Sequence, residues 1–165
     1  MHKKIAYGGI STALAVIMLV FSTYLPTAKA ATLFAASALV YGFRLICGVR
    51  ASFAMYAASA ILGFLLSSGA SPAIAAAFII CFGNYPVLRC LTENRPLSVM
   101  IILRAVLYTV YFALAFWVFK YLIPVEFPFS PVILYGAGAV LFAMYDVLLK
   151  YTGDYIVQLF YRIKR

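Results

Sequence analysis

The chain has 165 residues, 67% of them hydrophobic and only 10% charged. Ordinary soluble domains are about half apolar and about a quarter charged, so this composition excludes an ordinary soluble domain and reads as a polytopic membrane protein. The formal charge of +9 is scattered through the gaps between apolar runs rather than gathered into a patch. That distribution argues against nucleic acid as a partner and fits cationic loops on one side of a lipid bilayer.

Crossing the hydrocarbon takes about 20 mostly apolar residues, and six stretches of the sequence are predicted to do so. The first covers about 5–25 and is stopped by Pro26. "MHKK", an apolar run and "TAKAAT", with Ala28 and Ala30 in an A-x-A arrangement, also fit a cleavable signal peptide. The run is long for such a leader, and everything after it is equally apolar. We therefore expect the helix to be retained; cleavage would leave five. Within "YGGISTALAV", Gly9 with Ala13 and Ser11 with Ala15 are small-xxx-small pairs, which let membrane helices approach closely. They are the candidate partner-docking face, although such pairs more often pack helices inside one chain.

The second helix is predicted over about 30–46 and the third over 51–66, with Ala54 and Ala58 repeating the small-residue spacing. The fourth covers 72–91, the fifth 97–123 and the sixth 131–149. Pro72 and Pro131 open the fourth and sixth, where a missing N–H costs nothing. Asn84 and Pro86 should kink the fourth, because proline removes a donor and clashes one turn back. The loop after it, "RCLTENRP", offers Arg89, Glu93 and Arg95 as a candidate cytoplasmic docking surface. Residues 150–165 read as an amphipathic basic tail that continues the sixth segment, with Ile156, Leu159, Phe160 and Ile163 on one helical face; it either lies on the inner leaflet or extends the helix into the cytoplasm. With the N-terminus inside, Lys3, Lys4, Arg44, Arg50, Arg89, Arg95, Lys150, Arg162, Lys164 and Arg165 all fall at or near the cytoplasm. Only Lys29 and Lys120 fall at the other side, so both termini are expected to be cytoplasmic. The whole is expected to be one all-α transmembrane domain spanning residues 1–165.

Charges inside apolar runs are costly in lipid and mark functional or structural pairs. Arg104 and Asp146 fall at similar depth and are a candidate intramembrane ion pair; Lys150, four residues on, is the other candidate partner for Asp146. Aromatic residues concentrate on the fifth helix, where they serve as interfacial anchors or as walls for a ring-containing ligand. Tyr24, Lys29, Trp117, Tyr121 and Glu126 are the candidate ligand mouth on the outer side.

Catalytic equipment is sparse. The acidic residues are Glu93, Glu126, Asp146 and Asp154, and His2 is the single histidine. Cys47, Cys81 and Cys90 have no metal-ligand spacing. The sequence contains no GxSxG, HExxH or Walker lysine motif. We expect no enzyme, no metal site and no cofactor.

Taken together, "KKIAYGGISTALAVIMLV", the "PTAK" break and the Ala-rich helix after it resemble the substrate-binding membrane subunit, or S component, of energy-coupling-factor transporters. The stretch from "LPTAKAATLF" to "AILGFLL", followed by "FGNYPVLRCLTE", is similar to S-component-like membrane proteins of Firmicutes. The resemblance implies a multi-pass subunit of the bacterial cytoplasmic membrane that captures a vitamin-like micronutrient. Such a subunit works with a separate transmembrane coupling subunit and two ATPases. It also implies that Gly9, Ser11, Ala13 and Ala15 occupy the family's coupling-subunit face. The family's thiamine, riboflavin, biotin and folate motifs have no counterpart here, so no substrate carries over. The alternative reading is a non-transport membrane scaffold or assembly partner.

Overall fold

A computed structural model describes residues 2–25, 27–67, 72–93, 95–121 and 130–163. Among them the chain is all-helical, and six helices are long and apolar enough to cross a membrane. We label them α1 (His2–Tyr24), α2 (Lys29–Cys47), α3 (Val49–Ser67), α4 (Pro72–Leu91), α5 (Leu97–Tyr121) and α6 (Pro131–Ile163).

The turns follow from local chemistry. A single residue, Gly48, separates α2 from α3, and its φ of 92° lies where L side chains are strained. Its N–H still returns to the Arg44 carbonyl at 2.8 Å, while Ser52 N–H caps back to the Gly48 carbonyl at 3.1 Å. The chain therefore reverses without leaving the α2 end unsatisfied. Pro72 and Pro131 each begin a helix, as their fixed φ favours.

Of the two readings of the tail, the structure takes the helical extension: α6 passes the expected end near 149 and runs unbroken for 33 residues to Ile163, about 50 Å at 1.5 Å per residue. The continuation is packed rather than free. Gly153 lies against the Tyr41 ring and Gly42 against Ile156, close enough that a methyl group on either glycine would collide with its neighbour. These two glycines hold the lower half of α6 on α2.

α2 is the hub: it packs on α1, α3, α4 and α6. Leu19, Leu33, Val40, Phe43, Met55 and Phe78 form one buried cluster among α1 to α4, and Tyr41, Tyr85, Tyr111 and Leu149 form a second toward α5 and α6. α5 is the outlier. It touches its neighbours sparingly and leaves Ile101, Ile102, Val106, Val110 and Leu114 uncovered. An apolar surface of that kind is at home against lipid.

The small residues of α1 do not form one face. Positions two apart on a helix lie about 200° apart, so Ser11 and Ala15 turn one way and Gly9 and Ala13 the other. Ala15 is fully buried in the core. Gly9 has open space where a side chain would stand, and Ala13 is exposed. Ala15→Leu should therefore destabilise the protein by about 1–3 kcal/mol through overpacking. Gly9→Leu should change stability by no more than about 1 kcal/mol, the helix gain offsetting any lost flexibility. Detergent-denaturation curves for the two variants check the contrast.

Candidate functional site

The site starts from a defect in α4. Its first turn and a half, Pro72–Ala77, is α-helical, and Phe78–Phe82 then widens into a π-turn. Gly83 N–H bonds the Phe78 carbonyl at 2.8 Å, five residues back. That choice leaves the Ile79 carbonyl without its usual α-helical donor, and the Tyr56 hydroxyl of α3 donates to it at 2.7 Å. Gly83 is needed for the approach, since a Cβ there would sit 2.7 Å from the Tyr56 ring. Pro86 has no N–H to return to the Phe82 carbonyl; the Tyr145 hydroxyl of α6 donates there instead, at 3.3 Å. Each carbonyl released by the break is answered by a tyrosine from another helix, as a dry environment requires. Wide turns of this kind recur at functional sites.

Beside the π-turn lies a cleft of about 220 Å³. Cys81 and Phe82 of α4 form its back. Tyr108, Tyr111, Phe112 and Ala115 of α5 form one wall, and Gly138, Leu141, Phe142 and Tyr145 of α6 the other. Tyr108 donates its hydroxyl to the Tyr135 carbonyl at 2.5 Å, an approach open only because Gly138 lacks a Cβ. Tyr145 is fixed at its hydroxyl end by Ser37 as well as by Phe82. Tyr111 differs from both: its hydroxyl is buried and has no hydrogen-bond partner among the described residues.

Behind the cleft sits a cluster of charges. Asp146 is buried, with Arg89 Nε 2.8 Å from Oδ1 and Arg104 Nη1 2.6 Å from Oδ2. Tyr85 donates its hydroxyl to Oδ1 at 2.6 Å. A second pair joins Arg44 Nη2 to Glu93 Oε1 at 2.5 Å, and the Tyr41 hydroxyl donates to the same oxygen at 3.2 Å. The Tyr41 ring links the pairs, lying 4.7 Å from the Arg44 guanidinium and 4.9 Å from that of Arg89. Three guanidiniums thus face two carboxylates, and Arg89 Nη1 is buried with no acceptor among the described residues. No group of three or more His, Cys, Asp or Glu able to hold a metal occurs among the described residues.

Tyr85 joins the two parts. It is fully buried, and its ring packs against Phe142, Tyr145 and Tyr111 at centroid distances of 4.7, 5.6 and 6.1 Å. All three line the cleft. One side chain therefore touches the cleft's walls with its ring and the charge cluster with its hydroxyl.

The sequence-predicted residues are placed as follows. Arg104 and Asp146 meet, while Lys150 on the same helix is exposed. Arg89 and Glu93 do not belong to an outward docking loop: Arg89 is buried on Asp146 and Glu93 is held by Arg44. Arg95 alone of that trio is exposed. The reason is electrostatic, since Asp146 at the same depth draws a second guanidinium inward. Tyr24, Lys29, Trp117 and Tyr121 are exposed at helix ends and do not line the cleft. Trp117 and Tyr121 pack on each other at 6.1 Å. Glu126 lies outside the described residues. The cleft opens lower, where the π-turn and the small residues Ala115 and Gly138 leave room. The sequence reading missed Tyr85, Tyr111 and Arg44 as site residues; the usable signal was the proline four residues after Phe82. Compared with protein-family models, curated proteins and solved structures, the chain shows no match.

Proposed function

We propose that this chain is a ligand-capture subunit of the bacterial cytoplasmic membrane. It has both termini in the cytoplasm and works in uptake with a separate coupling subunit and two ATPases. The observation that carries the reading is Tyr85, which packs on the cleft's rings and bonds the buried carboxylate at the charged end. Occupation of the cleft moves the rings, and Tyr85 passes that movement to the charge cluster. The resemblance to S components supplies the transport context, and the basic residues near the α2 and α4 ends supply the orientation. The uncovered Gly9–Ala13 stripe of α1 is the surface that meets the coupling subunit, since small residues allow close helix approach.

Mild-detergent purification of a tagged copy from its native host, with mass spectrometry of what accompanies it, tests the proposal. Recovery of a transmembrane coupling subunit and two ATPases supports it. Recovery of other membrane machinery, with those subunits expressed but absent, turns the reading to the scaffold. Gly9→Leu and Ala13→Leu should each insert and fold normally yet lose most of the co-purified coupling subunit. Full recovery from both variants removes the α1 stripe as the docking face.

A further inference from the structure

We infer that the cleft takes an uncharged, ring-bearing lipophile carrying a hydrogen-bond acceptor oxygen, and that this ligand enters sideways from the bilayer. The inference rests on the reading of the cleft as a ligand site and names the class of molecule it holds.

Depth and opening give the entry route. The cleft residues sit mid-span: Cys81 and Phe82 within Pro72–Leu91, Tyr108 to Ala115 within Leu97–Tyr121, and Gly138 to Tyr145 within Pro131–Gln158. Leu141 lines the cleft and is still 66% exposed. An opening at that depth in a membrane-spanning bundle faces hydrocarbon, so a molecule reaches it after partitioning into the bilayer.

The walls give the chemistry. Rings from all three helices line the space, and no charged side chain does. Flat ligands gain from such walls through stacking and edge contacts beyond simple burial. Asp146, the carboxylate bonded to Tyr85, does not line the cleft and already holds Arg89, Arg104 and Tyr85. A charged ligand would enter a dry cleft with no counter-charge on its walls, at severe desolvation cost. An uncharged one meets no such barrier.

Tyr111 gives the polar feature. Tyr108 and Tyr145 spend their hydroxyls on carbonyls of the protein, whereas the buried Tyr111 hydroxyl has no partner among the described residues. A buried donor without an acceptor is costly and uncommon. An acceptor oxygen on the ligand completes it, and that bond discriminates against a molecule of the same shape that lacks the oxygen.

The test uses a matched set of probes on the full chain in phosphatidylcholine nanodiscs, with empty nanodiscs as the partition control. 2-Acetylnaphthalene carries an acceptor oxygen, 2-isopropenylnaphthalene has nearly the same shape without it, and 2-naphthoate is anionic. Equilibrium dialysis should show saturable binding of both neutral probes, with the ketone tighter by about five- to tenfold, the worth of one hydrogen bond. In Tyr111→Phe that preference should vanish while isopropenyl binding is unchanged. This variant removes an unbonded hydroxyl and so leaves folding intact. Gly138→Leu and Ala115→Phe, which fill the cleft from opposite walls, should each abolish binding of both probes; the second covers a failure of the first to fold.

Four results overturn the inference: no saturable binding of either neutral probe, a ketone preference that is absent or that survives in Tyr111→Phe, tighter binding of the naphthoate, or a co-purified phospholipid that blocks both probes. Lost probe binding with the coupling subunit still recovered removes this ligand class and leaves the uptake reading standing. Saturable binding without any coupling subunit does the reverse.

Discussion

Asp146→Asn is expected to lower the stability of the folded protein by about 3–5 kcal/mol, the usual consequence of removing one partner from a buried ion pair. The cost comes from charge left behind. Asp146 neutralises two guanidiniums, and the Arg89 side chain is almost wholly enclosed. Asparagine keeps an oxygen for Tyr85 but leaves both cations without a counter-charge in a bundle read as surrounded by lipid. Arg104→Gln should cost less, because Arg104 is partly exposed and the Arg89–Asp146 pair stays balanced without it. Combining Asp146→Asn with Arg89→Gln should recover part of the loss, since the two changes share one interaction. Unfolding in mixed micelles, followed through the fluorescence of Trp117, the only tryptophan, measures all three. A loss below about 1 kcal/mol for Asp146→Asn is the size expected of a solvated surface pair and would sink the picture of an enclosed charge cluster.

Several of these features were legible in the sequence because a strong physical rule acts on single residues there. Long apolar runs with few charges have only one inexpensive environment, so the six spans could be read directly. Arg104 and Asp146 stood out for the same reason: a charge inside such a run needs an opposite charge. Arg89 did not, because it sits in the last turn of its helix, where the default place for an arginine is solvent. Its burial depends on where α6 brings Asp146, which is tertiary information. The kink of α4 was placed at Asn84–Pro86, yet the helix changes geometry from Phe78. A missing proline donor is felt four residues earlier, and Gly83 lets the neighbouring helix press into the gap. The α1 stripe was misread as one face because Gly9, Ser11, Ala13 and Ala15 alternate, and alternation on a helix divides residues between opposite sides. Tyr85 and Tyr111 were invisible for a plainer reason. The chain has 13 tyrosines, and nothing local separates an anchor at the membrane surface from a ring buried in the core.

The link from cleft to charge cluster makes its own demand on Tyr85, and two substitutions separate its two jobs. Tyr85→Ala removes a fully buried ring and should destabilise the protein by about 3–5 kcal/mol through the cavity alone. It also strips a hydrogen bond from Asp146. Tyr85→Phe keeps the ring in its contacts with Phe142, Tyr145 and Tyr111 and loses only the bond to the carboxylate, worth about 1.5–3 kcal/mol. If Tyr85 carries the state of the cleft to the charged end, Tyr85→Phe should bind the neutral probes as tightly as the wild type. Their binding should then no longer alter the charged end. A spectroscopic label at Cys90, close in sequence to both Arg89 and Glu93, reads that end directly; Cys47 and Cys81 are replaced by alanine, and because Cys81 lines the cleft, probe affinity is first measured in that background and serves as its reference. Probe binding should shift the label in the wild-type background and leave it unmoved in Tyr85→Phe. A label that responds equally in both would show that the signal travels by another route, with the Tyr85 hydroxyl serving only to hold Asp146 in place. A variant that loses probe binding altogether would place the ring within the ligand site itself, and the coupling would then have to run through the helices.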